Sequence, residues 1–170
     1  MKVLLVGCGN EHGRRITLDG AISFEGDELI LHDFSPDIEA HYDFDLNDLP
    51  YPLPDEEFDE IHAYGVLEHC GTQGDGDFFF GQFNEFHRAL KPGGCMMLSV
   101  PIWNREVALG VPDHKRILPS SLFAFLTREY YENVGQPGYA DYRHLMKGFW
   151  QLLGATEGAQ ELLYVGLKKV

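Results

Sequence analysis

The sequence predicts an α/β fold, a mainly parallel sheet sandwiched by helices with a C-terminal antiparallel strand. Three observations carry that prediction. Short apolar runs at Lys2–Val6, Glu28–His32, 61–66 and 95–100 each break at a glycine, proline or acidic residue, as buried strands do. Phe79, Phe83, Phe86 and Leu90 recur at helical spacing between two of those runs, and alternating strands and helices belong to parallel sheets. Two last apolar runs, 149–153 and 162–167, flank the turn Gly154-Ala155-Thr156-Glu157-Gly158 and read as an antiparallel pair. At 170 residues the chain is one domain by length, 1–170.

The elements follow in order. Lys2–Val6 breaks into Gly7-Cys8-Gly9-Asn10, and Glu28–His32 stops at Asp33-Phe34-Ser35-Pro36. Between Gly13 and Glu28 such a fold wants a crossover helix, but no clear apolar stripe is present, so a short or remodelled helix is expected. Residues 40–44 are a weaker strand candidate. Pro50, Pro52 and Pro54 forbid regular helix and send the chain across the surface. Residues 58–66 then form a mostly apolar strand whose core is 61–66. The helix over 79–90 ends at Lys91-Pro92-Gly93-Gly94, where a glycine suits a left-handed cap. Strand 95–100 ends at Pro101. Ser120 or Ser121 is placed to cap a further helix bearing Leu122, Phe125 and Leu126. Residues 130–142, with Tyr130, Tyr131, Tyr139 and Tyr142, read as an irregular insertion or lid.

Composition narrows the function. A net charge of -14 repels a phosphate backbone and argues against extended contact with nucleic acid. No run reaches the length of a membrane span. No leader-like succession opens the chain, and Cys8, Cys70 and Cys95 show no paired spacing. A cytoplasmic protein with free thiols, without a metal site, is therefore expected.

The polar groups gather at strand exits, where open α/β sheets bind ligands. Gly7-Cys8-Gly9-Asn10 lets main chain approach a ligand closely. Asp33 can accept both hydroxyls of a ribose, or simply form a turn before Ser-Pro. Asp45-Leu46 precedes the proline segment in an acidic stretch. Glu68 and His69 leave the strand after Tyr64, Gly65 and Val66. Farther on, Trp103 and the run Asp113-His114-Lys115-Arg116 offer polar and aromatic groups.

The order of these motifs resembles the class I S-adenosylmethionine-dependent methyltransferases, in the small subgroup with Leu-Pro-Phe-Pro, Phe-Asp and Val-Leu-Glu-His. Here the corresponding residues are Leu49-Pro50-Tyr51-Pro52, Phe58-Asp59 and Val66-Leu67-Glu68-His69, followed by Leu90-Lys91-Pro92-Gly93-Gly94. The resemblance covers about residues 2–100 and thins beyond. It implies a Rossmann-like fold and a cofactor cleft for S-adenosylmethionine, with S-adenosylhomocysteine as product. It places Gly7, Cys8, Gly9, Asn10, Asp33, Phe34, Asp45, Leu46, Tyr64, Gly65, Val66 and Glu68 on the cofactor, with Asp33 on the ribose and Asp45-Leu46 on adenine. His69 becomes a catalytic candidate, and Trp103, Asp113, His114 and Arg116 substrate candidates. The acceptor is then a small molecule or a protein group, and a homo-oligomer is compatible. Leu5 stands where the family often has an acid, and no cap helix precedes the first strand. The cleft is thus expected to be open, or covered by the Tyr-rich segment or a second subunit. Two other readings stay open: a catalytically silent binding module of the same fold, and an NAD-dependent oxidoreductase sharing the glycine loop and acidic exit.

Overall fold

Six strands make the main sheet in a computed structural model that describes residues 1–10, 12, 15–17, 20–22 and 24–170. In chain order the strands are β1 (Lys2–Val6), β2 (Arg15–Thr17), β3 (Gly20–Ile22), β4 (Glu28–His32), β5 (Phe58–Tyr64), β6 (Leu90–Pro101), β7 (Trp150–Glu157) and β8 (Leu162–Lys169). The sheet order is β4-β1-β5-β6-β8-β7, and β2 and β3 form a separate antiparallel ribbon. β1 pairs in parallel with β4 and β5, and β5 with β6. β8 runs antiparallel to both of its neighbours. This is the mainly parallel sheet with a C-terminal antiparallel strand that the patterning predicts.

Helix α1 (Gly76–Ala89) covers one face of the sheet. Asp75 caps it, its carboxylate accepting from Phe78 N at 2.9 Å. Phe79, Phe83 and Phe86 point inward at helical spacing and join Ile61, Ala63, Met96, Leu98, Val165 and Leu167 in the larger core. Trp150 at the start of β7 meets Phe83 edge-on with ring centroids 6.3 Å apart. Each buried phenyl contributes roughly 1.5–3 kcal/mol by leaving water. The opposite face holds a smaller cluster of Val3, Leu5, Cys8 and Phe24, with Ile38 and Tyr64 against it. Successive residues of β1 therefore serve different cores, as the period-two pleat requires.

Several boundaries differ from the sequence expectations. The helix expected between Gly13 and Glu28 is replaced, among the described residues, by the β2–β3 ribbon; Gly13 itself lies outside those residues. The strand expected over 40–44 reduces to one bridge between His32 and Tyr42. β5 stops at Tyr64, because Gly65 turns the chain at φ +62° into a single 3-10 turn, Leu67–His69. α1 ends on extended Leu90, which already begins β6; Gly93 takes its positive φ inside that strand and not at a helix cap. Ser120–Leu126 is 3-10 helix entered from Pro119, with no serine side chain capping it. β7 continues through Glu157, so the expected glycine turn is strand and the reversal falls later, at Ala159–Glu161. Short helices α2 (Glu106–Gly110) and α3 (Arg128–Tyr131) complete the β6–β7 connection. Among the described residues no helix is long and apolar enough to cross a membrane.

Candidate functional site

The proline segment is held onto α1 by a buried polar relay, and this positions one wall of the site. Arg88 donates to Leu53 O at 2.6 Å, to Tyr51 O at 3.0 Å and to Glu85 Oε2 at 2.6 Å. Glu85 in turn accepts from Tyr51 N at 3.0 Å. The Tyr51 hydroxyl donates to Leu46 O at 2.9 Å and accepts from Gln82 Nε2 at the same distance. Burial pushes this phenol well above its ordinary value, which keeps it a donor. Leu46 is thereby fixed at the carboxyl end of the sheet.

A cleft of about 520 Å³ opens there. Gly7, Gly9, Asp33, Phe34, Asp45, Leu46, Gly65, Val66 and His69 all line it, together with Asp113. Gly7 and Gly9 both take positive φ. A β-carbon on Gly7 would stand 2.5 Å from Val66 Cγ2, so glycine is what lets the first loop pass the β5 exit. Asp33 holds the second exit in register, accepting from Gly9 N at 2.9 Å through Oδ2 and from Ser35 N at 3.0 Å through Oδ1. The turn-forming role and the cleft-lining role thus coincide in one carboxylate, and each oxygen keeps one acceptor position. Asp45 accepts from Asn47 N at 2.9 Å and Asn47 Nδ2 at 2.7 Å, both on Oδ1. The Asn47 backbone bond lowers the Asp45 carboxyl below its usual value.

Other expected residues stand elsewhere. Cys8 is buried in the second-face core and outside the cleft lining, and burial raises its thiol. Asn10 is exposed and outside the cleft lining, and Tyr64 packs against that same core. Glu68 is buried beneath the lining, and burial pushes its carboxyl up. Trp103 is 56% exposed and borders neither the cleft nor the second cavity described below. Arg116 is buried, donating through Nε to Leu67 O at 2.9 Å and through its guanidinium to Gln82 Oε1, and it lies over the Phe78 ring. Two of its donor groups are thereby engaged within the fold, and it borders that second cavity and not the cleft.

The structure also adds residues that spacing did not single out. His32, Asn47, Cys70 and Lys115 line the cleft. His32 is buried, with Gly7 N donating to its Nδ1 at 3.4 Å and its Nε2 2.9 Å from Phe44 O. These partners assign the Nε2–H tautomer, and burial lowers the ring's pKa. Asn47 Oδ1 accepts from Gly71 N at 2.8 Å, tying the Asp45 loop to the β5 exit.

A second cavity of about 530 Å³ lies beside the first, walled by Phe79, Phe80, Leu118, Phe125 and Tyr142, with Arg116 at its rim. Two chain segments change cavity within a residue or two. Cys70 faces the first and Thr72 the second, and Lys115 faces the first and Arg116 the second. Lys115 N and Arg116 N both donate to Glu68 O, at 2.9 and 3.2 Å. Tyr142 from the Tyr-rich segment thus lines the second cavity and not the cleft.

Comparison with known proteins gives a consistent picture. The sequence pattern of a family described as "Methyltransferase domain" matches residues 4–98. No curated protein matches the chain. Among solved structures, a chain of the complex between the Haloferax volcanii Trm112 methyltransferase activator and its methyltransferase partner superposes with TM-score 0.55 at 13% identity, covering 98% of this chain and 81% of that one. An S-adenosylmethionine-dependent methyltransferase from Mesorhizobium loti gives 0.52 at 16% identity, covering 98% and 90%. One from Archaeoglobus fulgidus gives 0.54 at 14%, covering 99% and 86%.

Proposed function

This chain belongs to the methyltransferase domain family, in the class I S-adenosylmethionine-dependent group, and from that premise we propose that it transfers a methyl group from S-adenosylmethionine to a small molecule or protein group. The observation that carries the reading is convergence. The glycine loop after β1, Asp33 after β4, Asp45-Leu46 and the Gly65-Val66 exit of β5 come from four separate stretches and line one cleft.

The residues present fit the cofactor. Asp33 retains acceptor positions for two ribose hydroxyls beyond its bonds to Gly9 and Ser35. Asp45 keeps Oδ2 to accept an exocyclic amine, and Leu46 gives an apolar surface for a flat ring. Gly7 and Gly9 expose backbone to the cofactor's tail. When bound, the sulfonium supplies an activated methyl group, so the protein's chief work is positioning. His69 lies in the lining with Nδ1 3.1 Å from Asp113 Oδ2, on the side left for the acceptor. The strongly acidic chain suits a neutral or cationic acceptor.

Calorimetric titration tests the cofactor. S-adenosylmethionine and S-adenosylhomocysteine should bind with one-to-one stoichiometry, and NAD should not; NAD alone binding would overturn the reading. Labelled-methyl transfer then separates enzyme from silent module, since a bound cofactor that never labels an acceptor supports the module.

A further inference from the structure

Glu68, His69 and His114 converge where the β5 exit meets the 113–116 segment. One donor atom from each lies within 4.8 Å of the other two. Two of these groups carry a buried polar atom without a hydrogen-bond partner, Glu68 Oε2 and His114 Nδ1. Glu68 is only 3% exposed. A carboxylate oxygen left unpaired in the interior is costly, and folds rarely keep one without a ligand or water to answer it. Arg116 makes no hydrogen bond to it, its Nε and one terminal nitrogen donating instead to Leu67 O and Gln82 Oε1.

The convergence is built by main chain. Lys115 N and Arg116 N donate to Glu68 O, drawing the segment back against the Leu67–His69 turn. His69 and His114 then meet edge-on with ring centroids 4.7 Å apart. Asp113 brings a second carboxylate to the edge of the cluster, 3.1 Å from His69 Nδ1. His69 and Asp113 also line the cleft, so the cluster adjoins it.

We propose that Glu68, His69 and His114 bind a divalent first-row transition ion in the wall of the cleft. Two imidazoles and one carboxylate are a donor set for Zn²⁺ and its first-row neighbours, with bonds of about 2.0–2.2 Å. Three protein ligands leave a further position for water or an oxygen of the acceptor. The ion would give Glu68 Oε2 and His114 Nδ1 the partner that the polypeptide does not supply. The site stands apart from the methyl-transfer reading, since the ion is read on the chain without cofactor.

Tag-free protein stripped with chelator and titrated with Co²⁺ tests it. The expected result is a visible absorption band saturating at one ion per chain, displaced by Zn²⁺, with a rise in melting temperature. Glu68→Gln and His114→Gln should each weaken Co²⁺ binding by about tenfold or more, with S-adenosylmethionine affinity in His114→Gln kept as a control of an intact cleft. Absence of the band and of the thermal shift in the wild-type chain overturns the proposal. So does unchanged Co²⁺ binding in both variants, which would place the ion on surface groups.

Discussion

Gly9 N–H donates to Asp33 Oδ2 at 2.9 Å, so the loop after β1 and the exit of β4 are closed on each other by a charge-assisted hydrogen bond. Cys8 N adds a second tie, to His32 O at 3.0 Å. Asp33→Ala removes the first tie and the proposed ribose acceptor together. A hydrogen bond to a charged group is worth about 1.5–3 kcal/mol, so the dissociation constant for S-adenosylhomocysteine should rise about 10- to 100-fold by calorimetry. A variant that binds as the wild type does would remove Asp33 from the cofactor.

Gly7→Ala meets two obstacles, a positive φ of 61° and Val66 Cγ2 at 2.5 Å. The expected loss is about 1–3 kcal/mol, or several degrees in melting temperature. Val66→Ala should recover part of that loss in the double variant, because it removes the Cγ2 contact at 2.5 Å and leaves the Val66 Cβ contact at 2.9 Å and the backbone strain. Simple additivity of the two single effects would contradict the contact.

Arg116→Lys should behave as a fold defect. Lysine cannot supply the forked donors that reach Leu67 O and Gln82 Oε1. Chemical denaturation should show a loss of about 2–4 kcal/mol, since the vacated partners are buried. The cofactor affinity of the folded fraction should stay within about threefold. A stable variant with altered acceptor preference would restore the arginine to a substrate role.

His32 and His87 are both held below the ordinary histidine pKa, in each case chiefly by burial. Above the unfolded value of about 6.5 neither state carries the proton, and stability is unaffected. As pH falls through that value the unfolded chain takes up protons that the folded chain refuses, so stability declines on the acid side. Melting temperature should therefore drop between pH 7 and 5, and His87→Gln should flatten the slope over that window. A slope unchanged by the substitution would move the effect to other groups.

Much of this was legible because β1, β4, β5 and α1 announce themselves by local pattern. The stretch 3–6 is uniformly apolar and followed by a glycine, and Phe79, Phe83 and Phe86 repeat at helical spacing. The site residues at those exits follow from the same signals, since parallel sheets put their ligands at carboxyl ends. What stayed hidden depends on long-range contact. Arg116 reads as a loop charge, and only its docking on Leu67 O makes it structural. Lys115 lines the cleft because its amide is bound to Glu68 O, 47 residues earlier. His114 likewise meets His69 through that connection, and no spacing rule joins them. The 159–161 reversal was missed because residues 154–158 contain two glycines that look like a turn, yet the first pairs within β7.

The two amides that converge on Glu68 O also decide how the chambers communicate. Lys115 borders one cavity and Arg116 the other, so their shared peptide and the buried Arg116 side chain both stand at the boundary. Joining the chambers requires the 113–116 segment to lift, which breaks both amide bonds to Glu68 O, the Arg116 bonds to Leu67 O and Gln82 Oε1, and the contact between His69 and Asp113. Those ties act together, so the two chambers stay separate unless the whole segment moves.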